Sequence, residues 1–200
     1  VERLLGREVP IVTVNRRVDD RRVSSVIHDE VAGVRWAMTH LVSLGHREIA
    51  VIGGPQALST GTERHRAFEL ARANLGLEGN PRLVTFADAY TESAGDRCLE
   101  ELIARGVRFT AVMCANDRLA VGAIAALHRR GWRCPDDVSV TGYNDMPMMD
   151  RITPPLTTVR VQQYEMGVEA GQMLMRQMSG NAEPQHVFLH VELTVRGSTA

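Results

Sequence analysis

The chain of 200 residues is long enough to bury a substantial core, either as one large domain or as two small ones. Its apolar fraction of 44% and charged fraction of 24% are typical of a globular protein. A formal net charge of −1 and an aromatic fraction of 4% exclude a strongly basic nucleic-acid-binding face and a platform of stacked aromatic rings. No apolar run approaches the roughly 20 residues that cross a bilayer, so we expect no membrane partner.

The residue types that usually carry catalysis or hold metals show no recognisable pattern. All 23 basic residues are arginine, which excludes a P-loop lysine, a Schiff-base lysine and a lysine general base in this sequence. The sequence lacks H-E-x-x-H spacing and the nucleophile elbow G-x-S-x-G. Cys98, Cys114 and Cys134 are too scattered for a C-x-x-C site and suit reduced thiols in a cytoplasmic protein. We therefore expect neither an enzyme nor a cofactor or metal site.

Short strands and longer helices alternate along the chain from its amino terminus. Compact apolar runs predict strands, and longer runs with apolar residues three or four apart predict helices. The predicted strands lie near residues 11–14, 23–29, 49–52, 82–86, 111–114, 138–141 and 186–198. The predicted helices cover about residues 30–44, 63–75, 92–105, 117–130 and 163–180.

A glycine ends several of these helices, and a short β-branched strand follows it. Gly45 has this place in "MTHLVSLGHREIAVIGGP", and the pattern returns with Gly106 in "EELIARGVRFTAVMCAND" and Gly131 in "AIAALHRRGWRCPDDVSVTGYND". Helices that alternate with uninterrupted apolar strands favour parallel sheets covered by helices on both faces. The sequence therefore predicts an α/β fold with doubly wound parallel sheets.

Ligands of open parallel sheets bind beyond the carboxyl ends of the strands. The sequence places amides, hydroxyls, carboxylates and an arginine at these ends. They are Asn15, Arg16, Asp29, Ser59, Thr60, Arg64, Asp88, Tyr90, Asn116, Asp117, Asn144 and Asp145. Such groups suit a small polyhydroxylated or heterocyclic ligand.

Several of these residues also have a purely structural explanation. Asp117 is expected to cap the helix that follows it, which would leave Asn116 freer to face a ligand. Asn144 and Asp145 would also suit a turn. Arg64 near the start of a helix opposes the helix dipole, which suggests a functional position, although a surface arginine remains the alternative.

The order and spacing of several segments resemble the effector-binding region of LacI/GalR-family transcriptional repressors. The resemblance extends from about Pro10 to Thr199. The segments that carry it are "HLVSLGHREIAVIGGP", "ERHRAFELA", "TAVMCANDRLAVGAIAALHRRGWRCPDDVSVTGYND", "PPLTTV", "YEMG" and "VRGST".

The resemblance implies a two-lobed, periplasmic-binding-protein-like fold in which each lobe is a doubly wound parallel sheet. Residues 1–44 and 160–189 would form the N-terminal lobe, and residues 46–158 and 190–200 the C-terminal lobe. The helix-turn-helix headpiece, the hinge helix and the first elements of the N-terminal lobe have no counterpart in this sequence. We therefore expect the chain to be part of a longer protein, with the first lobe incomplete.

The resemblance further implies a cytoplasmic homodimer that senses a small-molecule effector, either a sugar, a sugar acid or a purine-like compound. Effector binding would control operator DNA binding allosterically through the headpiece. The alternative hypothesis, from another functional class, is a periplasmic sugar-binding protein of a transport system.

Seven residues are implied as effector contacts. They are Asp29, Ser59, Thr60, Arg64, Tyr90, Asn116 and Asn144. Tyr90 would pack its ring against a sugar or base, and hydrogen bonds would come from Asp29, Thr60, Arg64, Asn116 and Asn144. Many sugar-responsive relatives have aspartate where this chain has Asn144, and an amide both donates and accepts but carries no charge.

Overall fold

The computed structural model describes residue 4 and residues 9–18, 20–180 and 183–200. Its strands are β1 (Val12–Val14), β2 (Ser24–His28), β3 (Ile49–Gly53), β4 (Val84–Phe86), β5 (Ala111–Cys114), β6 (Ser139–Asn144), β7 (Thr157–Val161), β8 (His186–Leu189) and β9 (Val191–Thr194). Its helices are α1 (Glu30–Ser43), α2 (Ser59–Asn74), α3 (Glu92–Ala104), α4 (Asp117–Arg129) and α5 (Gln163–Met178). Within the described ranges, no helix is both long and apolar enough to cross a bilayer.

The chain divides into two compact units. The first contains residues up to Asp29 and Val161–Val191, and the second contains Glu30–Arg160 and Glu192–Ala200. In the first unit β2 lies between β1 and β8, and both pairs are parallel, with Val26 opposite Val14 and Val187. Helix α5 covers this sheet with Met166, Ala170 and Met173, which form a small core with Val26.

The second unit is built on the six-stranded sheet β4-β3-β5-β6-β7-β9. The pairs from β4 to β7 are parallel. Ile52, Val112 and Val140 belong to a core shared with α3 and α4. Val51 and Met113 are sequence neighbours of Ile52 and Val112, so their side chains lie on the other face of the sheet. There they line a small cavity with residues of α1 and α2. Helices therefore cover both faces of a parallel sheet, which confirms the predicted fold class.

The observed elements follow the predicted ones closely, although β6 continues to Asn144, three residues past its predicted end, and two other elements differ. Helix α2 begins at Ser59, four residues before the predicted start, because its first turn packs against the preceding loop, where Gly61 donates to the Leu58 carbonyl. The final predicted strand is two strands, β8 and β9, which belong to different sheets. Gly45, Gly106 and Gly131 have φ angles of 97°, 64° and 75°, which confirms them as the predicted helix ends.

The compact units differ from the predicted lobes in the position of one helix. The predicted N-terminal lobe extends to residue 44, whereas the first compact unit ends at Asp29. Helix α1 belongs to the second unit because it packs along α2. The other boundaries of the units, at Arg160 and Val191, lie within two residues of the predicted ones.

Candidate functional site

Six of the seven predicted site residues lie at the carboxyl ends of neighbouring strands in the six-stranded sheet. We call this side of the sheet the carboxyl edge, or simply the edge. The strands β4, β3, β5 and β6 are neighbours in that order, and their parallel pairing brings their carboxyl ends together. Tyr90 follows β4, and Ser59 and Thr60 begin α2 after β3. Asn116 follows β5, and Asn144 ends β6. The seventh residue, Asp29, belongs to the first unit, where its backbone N–H donates to the Leu189 carbonyl.

Arg64 is the most constrained residue of this edge, with 5% of its surface exposed. Its Nε and one terminal nitrogen donate to the two carboxylate oxygens of Glu30 at 2.7 and 3.0 Å. The other terminal nitrogen donates to the Ala115 carbonyl at 2.6 Å. The guanidinium carbon lies 3.8 Å from the centroid of the Tyr143 ring, a cation–π distance. The alternative of a surface arginine is therefore wrong.

Glu30 compensates the buried charge of the Arg64 guanidinium. Burial alone lowers the pKa of Arg64, but the Glu30 carboxylate, through its charge and its hydrogen bonds, raises that pKa by more, so the net shift is upward. The two groups form a bidentate, charge-assisted pair, which is the geometry that arginine and carboxylate favour. As the pair is neutral overall, Arg64 offers a ligand a directed N–H group rather than an uncompensated positive charge.

Asn144 sits next to Arg64 in an unusual backbone conformation. Its φ angle is 116°, which non-glycine residues rarely adopt. Its Oδ1 accepts a long hydrogen bond of 3.5 Å from Arg64, while the side chain is only half-buried. Because a strained, partly accessible residue at a strand end is costly to maintain, its conformation favours the functional interpretation over a simple turn.

Asn116, and not Asp117, is the N-cap of α4. Asn116 has extended backbone angles, and its Oδ1 accepts from the Leu119 N–H at 2.9 Å. The prediction that Asp117 caps this helix is therefore wrong, because the cap must precede the first helical residue and Asp117 already has helical geometry. Asn116 is nonetheless at the edge, and its amide nitrogen has no acceptor within the described part of the chain.

Thr60 and Tyr90 supply the hydroxyl groups of the edge. The Thr60 Oγ1 and the Tyr90 hydroxyl are 3.2 Å apart, so one donates to the other. Tyr90 lies over Gly54, where a Cβ would come within 2.2 Å of its hydroxyl. The glycine after β3 therefore makes room for this ring. Ser59, the first residue of α2, is half-buried beside Thr60.

Sequence reasoning missed two residues that hold Arg64 in place. Glu30 is a good first residue for a helix, because carboxylates favour helix N-termini, and so nothing marked it as a buried ion-pair partner. Tyr143 lies inside β6 and is 3% exposed, and its ring fits because Gly33 in α1 leaves the space. A glycine in the middle of a predicted helix was the one available signal.

The edge brings together hydrogen-bonding side chains. No group of three or more metal-ligating side chains comes together in residues 9–18, 20–180 and 183–200. Burial raises the pKa values of the thiols of Cys98 and Cys114, which disfavours their reactive thiolate forms. What the edge offers is a set of amide and hydroxyl groups around a neutralised arginine.

Comparison with known proteins identifies the family. The periplasmic binding protein-like domain matches residues 38–199. The HTH-type transcriptional regulator CelR of Thermobifida fusca is 35% identical over 182 residues, which cover 90% of this chain and 53% of CelR. The chain thus spans about half the length of that relative.

Two solved structures agree with this assignment. A LacI family transcriptional regulator from Mycobacterium smegmatis superposes with a TM-score of 0.91 at 35% identity, covering 100% of this chain and 73% of that one. A complex of the transcriptional regulator CelR with cellobiose superposes with a TM-score of 0.90 at 34% identity, covering 95% and 59% of the two chains. The predicted periplasmic-binding-protein-like fold is confirmed, and the chain belongs to the LacI/GalR family of transcriptional regulators.

Proposed function

We propose that this chain is the effector-binding core of a sugar-responsive transcriptional regulator. The observation that supports this most directly is the carboxyl edge of the six-stranded sheet. There Arg64 is held by Glu30 and Ala115, and Asn144 contacts it from the end of β6. The proposed effector contacts are Thr60, Arg64, Tyr90, Asn116 and Asn144, with Ser59 beside them. Asp29 stays a prediction of the family resemblance.

The charge balance of the edge favours a neutral sugar over a sugar acid. Four of the five N–H groups of Arg64 are engaged within the protein, which leaves one for a ligand. Glu30 already neutralises the guanidinium, so an anionic ligand would gain little from its charge. The amide nitrogens of Asn116 and Asn144 and the hydroxyls of Thr60 and Tyr90 match the mixed donors and acceptors of a sugar.

The rest of the proposal concerns the longer protein. A helix-turn-helix domain would bind operator DNA, two copies would pair, and the protein would act in the cytoplasm. Effector binding would then shift the equilibrium between DNA-binding and non-binding states, as expected of a two-state allosteric protein. CelR and the Mycobacterium smegmatis protein are both named as transcriptional regulators. These names do not favour the alternative, a periplasmic sugar-binding protein of a transport system.

A ligand screen by thermal unfolding tests the proposed function. The panel contains cellobiose, other neutral sugars, sugar acids, polyols and purines, each at a concentration near 100 times a plausible dissociation constant. Binding to the folded state alone adds about 2.7 kcal/mol of stability under that condition. For a chain of this size, that corresponds to a rise in Tm of roughly 5–10 °C. No shift with any sugar in the panel would contradict the proposal.

A matched pair of variants shows whether the shift arises at the proposed site. Thr60→Val removes the hydroxyl that contacts Tyr90, while Thr62→Val removes an exposed hydroxyl two residues further along α2. We expect Thr60→Val to reduce the ligand-induced shift and Thr62→Val to leave it unchanged. Equal shifts in the two variants would place the sugar elsewhere.

A further inference from the structure

The segment after β6 is held in an unfavourable backbone conformation. Asn144, Asp145 and Met148 all have positive φ angles, of 116°, 53° and 77°. Non-glycine residues rarely adopt such angles, and they persist only where surrounding contacts enforce them. Because Asn144 is a proposed effector contact, the groups that enforce this conformation also determine where its amide points.

Asp117 is the first of these groups. It is the first residue of α4 and is fully buried, with 0% of its surface exposed. One carboxylate oxygen accepts from the Met146 N–H at 2.7 Å, and the other accepts from the Thr158 hydroxyl. Gly142 leaves room for this carboxylate, since a Cβ there would come within 2.4 Å of its Oδ1. Asp117 therefore joins α4 to β7 and to the strained segment after β6.

Asp145 fixes the same segment through its own side chain. Its carboxylate accepts from Arg160 and from Arg196, each at 2.7 Å. Burial raises the pKa of Asp145, but the hydrogen bonds from Arg196 and Arg160 lower that pKa by more, so the carboxylate stays charged in the folded state. The segment is thus anchored at Asp145 by two arginines and at Met146 by Asp117, immediately after Asn144.

We infer that Asp117 is a positioning residue, which orients Asn144 for effector binding by holding the Met146 N–H. This inference rests on the proposed function, because it assigns Asp117 a role in that same site without direct contact to the effector. Asp117 also carries a favourable charge for the N-terminus of α4, which is a structural role. A test must therefore separate the hydrogen bond from the Met146 N–H to Asp117 from the effect of a negative charge at the N-terminus of α4.

Asp117→Ala and Glu92→Ala form the matched pair for this test. Both residues are the first helical residue after an N-cap, and both substitutions remove a negative charge there. Only Asp117 contacts the segment after Asn144, and alanine also removes the oxygen that accepts from the Met146 N–H. In the ligand-free 200-residue chain, we expect Asp117→Ala to speed hydrogen exchange of the Met146 amide at least tenfold and to shift the Asn144 side-chain amide resonances. Glu92→Ala should change neither signal.

The second measurement is a thermodynamic cycle with cellobiose as the probe. Asp117→Ala should weaken cellobiose binding about tenfold in the parent, and should have no further effect in an Asn144→Ala background. Equal losses in both backgrounds would overturn the inference, because Asp117 would then act independently of Asn144. Unchanged Met146 exchange in Asp117→Ala would overturn it as well.

The ligand-free measurement keeps the two proposals separate. If the parent does not bind cellobiose, the proposed function loses that ligand, while the Met146 and Asn144 signals still decide the role of Asp117. Should Asp117→Ala fail to fold, Thr158→Val removes one of the two donors to the same carboxylate and keeps its charge. That variant should produce the same changes to a smaller extent, and no change would overturn the inference.

Discussion

Arg64 illustrates how a proposed effector-binding residue can also be part of the core. A buried guanidinium that lost its carboxylate, or a buried carboxylate that lost its guanidinium, would be an unpaired charge in a medium of low polarity. Arg64 and Glu30 are both nearly inaccessible to solvent, so neither can be rehydrated without local unfolding. Binding and folding therefore depend on the same contacts at this position.

We expect Arg64→Ala to destabilise the protein as well as weaken sugar binding. Removing one partner of a buried ion pair costs about 3–5 kcal/mol of unfolding free energy. Urea unfolding at pH 7 measures this change. The control is the double variant Arg64→Met with Glu30→Leu, which removes both charges and should recover at least half of the lost stability. A loss below about 1 kcal/mol for Arg64→Ala would mean that Glu30 is solvated, contrary to the structure.

Asn144→Gly should separate stability from binding. Glycine adopts positive φ without strain, so this variant should gain about 1 kcal/mol of unfolding free energy while losing the amide proposed to contact the effector. Met148→Gly is the matched control, because Met148 also has positive φ and is exposed. It should gain similar stability with unchanged sugar affinity. If Asn144→Gly bound sugar as well as the parent, Asn144 would be only a turn residue.

At the level of helices, the two N-caps offer a comparison between structure and function. Asn116 caps α4 and Thr91 caps α3, each by accepting a backbone N–H three residues ahead. Asn116→Ala and Thr91→Ala should each cost about 1 kcal/mol of stability. Only Asn116→Ala should also weaken sugar binding, because its amide nitrogen lies at the proposed site. Calorimetric titration of both variants checks this, and equal affinities would remove Asn116 from the site.

The helices and strands could be predicted closely because local signals agree with the tertiary structure. Gly45, Gly106 and Gly131 end helices with positive φ, as their positions indicated. The local sequence signals gave the wrong N-cap for α4, because two neighbouring residues there could both cap the helix. Asn116 and Asp117 are both good caps, and only the contact between Asp117 and Met146 shows why the aspartate lies one residue inside the helix.

The division of the chain could be predicted less well, because it depends on contacts between distant segments. One predicted strand contains both β8 and β9, and nothing local marks His190 as the point where the chain leaves one sheet for another. Likewise, Glu30 and Arg64 are 34 residues apart, so their pairing follows from the packing of α1 on α2. The carboxyl-edge rule selected residues that the fold does bring together, but the residues that hold Arg64 were visible only in the fold.

The 200-residue chain should not bind duplex DNA in a sequence-specific way. Its net charge of −1 provides no strong attraction to phosphates, and specific readout would need a recognition element inserted into a groove. Gel-shift titrations at low and physiological salt test this expectation. A selective, salt-sensitive shift by this chain alone would contradict it and would move the DNA-binding surface into the proposed effector core.

Two histidines should make the stability of the second unit depend on pH near neutrality. Burial lowers the pKa of His46, although the Ala200 carbonyl opposes this shift, and burial together with the charge of His46 lowers the pKa of His40. His46 bonds to the hydroxyls of Thr110 and Ser139, and His40 bonds to the hydroxyl of Thr199. Protonation would place a charge among these partly buried contacts.

The sign of the effect follows from the direction of both shifts. Unfolded histidine titrates near pH 6.5, so below that pH the unfolded chain binds protons that the folded chain does not. The stabilising contribution is therefore present above about pH 6.5 and is lost as the pH falls through the lower folded-state pKa values.

Urea unfolding at pH 7.5 and 5.5 should show a drop in stability for the parent and a smaller drop for His46→Gln. His128→Gln, at an exposed position on α4, is the control and should keep the full drop. If His46→Gln lost as much stability as the parent over this range, His46 would not be responsible for the pH dependence.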